Sequence, residues 1–89
     1  MLKSCKKALR ISSSNVAFDD EIQDLIIAAK RDLNITGIIN IEEKDPLIKQ
    51  AIIMYCKANF GLDNKDSEKY KNTYEILKNR LSLCGEYIE

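Results

Sequence analysis

The sequence predicts an all-α fold: a small bundle of about four helices, the first one short, with one irregular loop between the second and third. Three observations predict it. Apolar residues recur at helical spacing in four separate segments. Gly37, Gly61 and Gly85 fall at the ends of those segments and none falls inside. Asp45-Pro46 opens the third segment with an acidic cap followed by proline at the first helical position, where its missing N–H costs nothing.

The first segment, roughly Leu2 to Arg10, sets Leu2, Cys5 and Leu9 on one stripe. Ser12-Ser13-Ser14-Asn15 breaks it, because these side chains compete for backbone hydrogen bonds, and Asn15 is read as the cap of the next helix. That second helix, about Ala17 to Asn34, lines up Phe18, Ile22, Leu25, Ile26, Ala29 and Leu33 on one side. Asp19, Asp20 and Glu21 crowd its first turns and Lys30 and Arg31 its last, both favoured by the helix dipole. Gly37 supplies a left-handed stop. Ile38 to Lys44 is too short for a strand with its own partner and reads as a structured loop or an isolated extended piece.

The third helix, Pro46 to Phe60, is apolar around most of its circumference, through Leu47, Ile48, Ala51, Ile52, Tyr55, Cys56 and Phe60. Such a helix is a central one, wrapped by the others. Asp63-Asn64-Lys65-Asp66 makes a turn. A last helix, about Ser67 to Leu83, carries a stripe of Tyr70, Tyr74, Leu77 and Leu81, widened by Ile76, with Gly85 as terminator. The expected core is Leu25, Ile26, Ala29, Leu33, Ile48, Ala51, Ile52, Tyr55, Leu77 and Leu81.

Eighty-nine residues, 45% hydrophobic and 31% charged, suit one ordinary folded domain spanning 1–89. A chain this short buries only roughly 60–65% of its unfolded surface, so neighbouring copies or partners are expected to finish some of its apolar faces. Fourteen basic residues balance fourteen acidic ones, and no global charge steers the protein towards nucleic acid. No run approaches the ~20 apolar residues of a membrane span, and the N-terminus lacks an apolar signal-peptide core. The expectation is a cytoplasmic protein without membrane contact, its three cysteines free thiols and Cys56 packed in the interior.

Chemistry is scarce. With no histidine, the usual general base and half of the common zinc ligands are missing. No glycine-rich phosphate loop exists. Asp19, Asp20 and Glu21 are adjacent on a helix and fan out over different faces, so they cannot converge on one substrate. No catalytic residue, cofactor or metal ligand is assigned. Helix-turn-helix DNA binding competes, with Ser67–Leu83 as recognition helix. Its bases Lys69, Lys71, Lys78 and Arg80 are offset by Asp66, Glu68 and Glu75, which leaves only +1.

The order of charges says more than their total. Residues 1–18 carry Lys3, Lys6, Lys7 and Arg10 without an acid; residues 19–24 carry Asp19, Asp20, Glu21 and Asp24 without a base. The two segments either neutralise each other within one molecule or form a head-to-tail contact between copies, which closes into a ring when the rotation allows. Ile38, Ile39 and Ile41 either cover the domain's own core or meet a neighbour.

Residue order also carries a resemblance. Lys7-Ala8-Leu9-Arg10-Ile11, Asp19-Asp20-Glu21-Ile22, Leu25-Ile26-x-Ala28-Ala29, Asp45-Pro46-Leu47-Ile48-Lys49-Gln50-Ala51-Ile52, Tyr55-Cys56-Lys57-Ala58-Asn59-Phe60-Gly61 and Tyr74-x-x-Leu77-x-x-x-Leu81-Ser82 follow one another along most of the chain. In that order and spacing the chain resembles the small head–tail connector (adaptor, or DNA-packaging) family of tailed bacteriophages and prophages. The resemblance implies a structural subunit that forms a homo-oligomeric ring between the portal protein and tail-side connector proteins. It implies a place at the head–tail junction of the virion, with assembly in the host bacterial cytoplasm. DNA would pass the channel without sequence-specific binding. The alternatives are a small helical DNA-binding regulator and another protein-interaction module.

Overall fold

A computed structural model describes residues 1–61 and 65–88, and every regular element among them is helical. The order is α1 (Leu2–Ala8), α2 (Asp19–Ile35), α3 (Pro46–Asn59), α4 (Ser67–Ser82) and α5 (Gly85–Ile88). The α2 and α3 spans fall close to expectation because their caps and periodicity agree. Of the turn expected at 63–66, Asp63 and Asn64 lie outside the described residues.

Three local readings are corrected. Asn15 does not cap α2; its Oδ1 accepts from the Ala17 N–H at 3.0 Å in a turn upstream, and Phe18 occupies the cap position. The first helix stops at Ala8, before the serine run. Arg10 takes a left-handed φ of 61°, and the amides of Arg10 and Ile11 donate back to Lys7 and Lys6 carbonyls at 3.1 and 2.8 Å. That is a Schellman cap built on a non-glycine residue. Gly85 terminates nothing: it opens α5, a four-residue turn with no periodicity of its own.

The same cap ends α2 with the expected glycine. Gly37 has φ 105°, and the amides of Gly37 and Ile38 return to Asn34 and Leu33 at 2.9 and 3.2 Å. The motif brings the residue after the glycine back against the last turn, so Ile38 and Leu33 are both fully buried. Asp45 caps α3 as its sequence predicts, accepting from the Leu47 N–H at 2.9 Å.

Helix α3 is the centre. Ile48, Ala51, Ile52, Ile53 and Cys56 are buried in it. Ile22, Ile26, Ala29 and Leu33 face it from α2, Tyr74 and Leu81 from α4. Of the expected core, Leu25, Tyr55 and Leu77 are only partly buried, packed around its edge. Cys5, Ile22, Ile38, Ile53, Cys56, Tyr74 and Tyr87 join it in addition.

Phe18 before α2 meets Phe60 after α3 edge-to-face at 5.4 Å, and Lys57 near the end of α3 sits over the Tyr70 ring near the start of α4. Helix α3 therefore runs antiparallel to both neighbours. Tyr74 donates to Asp32 Oδ2 at 2.5 Å and Lys78 to the same oxygen at 3.1 Å, tying α4 to α2. Burial works against the Asp32 carboxylate, but these two donors hold its pKa below the ordinary value.

Candidate subunit-contact surfaces

Helix α1 lies across α2 and α3 with its apolar stripe inward, and its Cys5 sulfur touches the Cys56 sulfur of α3 at 3.7 Å. One turn face away, Lys6 is only 5% exposed. Its ammonium has three donors and three partners: the carbonyls of Asn15 and Ser13 at 2.6 and 3.2 Å, and Asp19 Oδ1 at 2.8 Å. A buried ammonium is stable only when paired and hydrogen-bonded in this way. Of the opposed charge runs, Lys6 and Asp19 thus neutralise each other within the molecule and hold the 11–18 connection down.

Their neighbours point elsewhere. Lys3, Lys7 and Arg10 are exposed on α1 and its cap, and Asp20 and Glu21, with Asp24 after them, are exposed on α2. None of these six forms an ion pair among the described residues. Lys3 and Lys7 flank an open groove of about 460 Å³, with Leu2 and Ile11 as its apolar lining and the Lys6–Asp19 pair along it.

The isoleucine loop divides. Ile38 is fully buried in the molecule's own core, Ile41 is half-buried, and Ile39 is 54% exposed. The loop is held by α5: the amides of Ile39 and Asn40 both donate to the Tyr87 carbonyl, at 2.7 and 3.1 Å. The Tyr87 hydroxyl donates to Asp45 Oδ2 at 2.7 Å. That hydrogen bond is the main cause of the lowered Asp45 pKa, and it pushes the Tyr87 phenol up to about 12. Glu43, at the loop's far side, is held below its usual range chiefly by its hydrogen bond from Lys30.

Sequence reasoning passed over the exposed apolar residues outside the expected stripes. Ile27 is 57% exposed, Ile35 77% and Leu83 85%, and Ile76, expected to widen the α4 stripe, is turned outward at 57%. The signal was present, since Ile27 and Ile35 do not fit the stripe through Ile22, Ile26, Ala29 and Leu33.

Among the described residues, no group of three Cys, Asp or Glu side chains is placed to hold a metal ion, and no helix is long and apolar enough to cross a membrane. What the surface presents is charge and apolar area suited to other proteins, and the chain falls in the class of small helical structural proteins. It belongs to the phage connector protein family, whose model matches residues 1–88. Neither a curated protein nor a solved structure matches it. The family is structural in character, and it makes this chain a virion component that contacts other phage structural proteins.

Proposed function

We propose that the chain is one subunit of a homo-oligomeric ring between the portal and the tail-side connector proteins, where it extends the DNA channel and carries no catalysis. The observation that carries this reading is the family match along 1–88, which spans every helix rather than one motif. The surface agrees with it. Oppositely charged, unpaired side chains stand on different elements, α1 and α2, as a repeating head-to-tail contact requires. The whole of 1–89 acts as one domain, and the zero net charge lets DNA slide past without being held.

Against the regulator reading, Lys78 of α4 is turned inward onto Asp32 and Glu75, at 3.1 Å each, so the helix offers still fewer free bases to phosphate.

The test is to mix the purified protein with purified portal rings and image the product by negative stain. Added density of ring symmetry at one end of the portal is expected. No binding across a wide range of protein concentration sinks the connector reading.

A further inference from the structure

We propose that the groove beside α1 receives the outer face of α2 from a second copy of this chain, with Ile27 seated between Leu2 and Ile11 and the acids Asp20 and Asp24 meeting Lys3 and Lys7. The inference rests on the ring reading above and specifies its seam.

The geometry of α2 carries it. The core stripe is Ile22, Ile26, Ala29 and Leu33, all buried. Shifted back by two residues, the same spacing gives Asp20, Asp24, Ile27 and Arg31, all exposed. Two residues are roughly 200° of helix rotation, so this second stripe stands opposite the core face. Ile27 borders a shallow groove with Lys30, Arg31 and Ile41 and stays 57% exposed, open to a neighbour. On its N-terminal side the stripe is acidic, with Arg31 on the other side, and Asp20 and Asp24 form no ion pair among the described residues.

The groove is the complement in sign and in polarity. Its rim is Lys3 and Lys7, and its apolar lining is Leu2 and Ile11. Within one molecule the match is unavailable, because the α2 residue that borders the groove is Asp19, already bound to Lys6, and the outer stripe faces away from it. A patch that fits a different patch on an identical molecule makes a heterologous contact, which repeats around a ring when the rotation closes. Rim charges of this kind set register and partner choice, while the apolar anchor supplies most of the affinity.

Zero-length carbodiimide coupling of the unmodified protein, with isotopically heavy and light chains mixed equally, reads the seam directly. Mixed-isotope peptides joining Lys3 or Lys7 to Asp20 or Asp24 are expected, alone at high concentration or with the portal ring added. Their absence under both conditions, or intermolecular links confined to other pairs, overturns the proposal. Substitution gives a second reading, with circular dichroism confirming that each variant is folded. Ile27→Asp is expected to weaken self-association about tenfold or more. The doubles Lys3→Glu/Lys7→Glu and Asp20→Lys/Asp24→Lys should each lose it, and the four changes combined in one chain should restore it. A combined variant no better than the doubles overturns the seam. Rings that form on the portal with links elsewhere defeat the seam and leave the connector reading standing. The expected links without portal binding do the reverse.

Discussion

The Tyr87 hydroxyl and the Leu47 amide bind the two oxygens of one carboxylate, Asp45, at 2.7 and 2.9 Å. The residue that starts α3 is therefore also the anchor of the C-terminal turn, 42 residues away in sequence. Tyr87→Phe removes one of these bonds and is expected to lower stability by about 0.5–1.5 kcal/mol in urea unfolding. Asp45→Ala removes both and should lower the midpoint further; a smaller effect than that of Tyr87→Phe would show that the cap contributes nothing.

Acid should unfold the protein in a defined window. Asp32, Glu43 and Asp45 all have pKa values below their ordinary ones, so the native state holds these carboxylates charged more firmly than the unfolded chain does. Their contribution is complete above the unfolded value of about 4 and is lost as pH falls through the lower native values. With no histidine, no side chain of that type titrates near neutrality. Urea midpoints measured at a series of pH values should hold steady from about pH 6 to 5 and then fall below about pH 4.

The two Schellman caps predict effects of opposite sign. At Gly37, a Cβ would meet nothing within 4 Å, so Gly37→Ala costs only the left-handed backbone strain, about 1–2 kcal/mol. At Arg10 that strain is already present, and Arg10→Gly is expected to stabilise the fold by about 1 kcal/mol. Thermal unfolding of the two variants beside the parent chain checks both signs.

Ile52 is fully buried in the central helix. Ile52→Ala should lower stability by about 2–5 kcal/mol, and a loss under about 1 kcal/mol would put the centre of the core elsewhere.

What was legible in the sequence follows from how local each cause is. The α3 start needed only Asp45 and Pro46, adjacent in the chain, and the α2 and α3 stripes needed only spacing. The burial of Ile38 was within reach, because a glycine stop followed by an apolar residue is the Schellman pattern, which returns that residue to the helix it leaves. Helix α5 was not: Gly85-Glu86-Tyr87-Ile88 has no period, and its position depends on Ile39, Asn40 and Asp45, far away in sequence. Nor was the inward turn of Lys6, since its partners are two carbonyls in an irregular connection and one of the four acids clustered at 19–24. Of the candidate contact residues, the charge segregation could be read, but which members cancel internally and which face outward depends on helix rotation and on the α1 cap.

The contact between the Cys5 and Cys56 sulfurs makes α1 its own reporter. Both thiols are inaccessible while α1 is seated, and Cys84 is partly exposed. A thiol-specific reagent should therefore modify Cys84 quickly and the other two only at the rate at which α1 lifts from α3. That rate measures how firmly the groove-bearing helix is held. A neighbour bound in the groove would slow it, so the labelling time of two buried sulfurs becomes a clock for assembly at a surface neither of them touches.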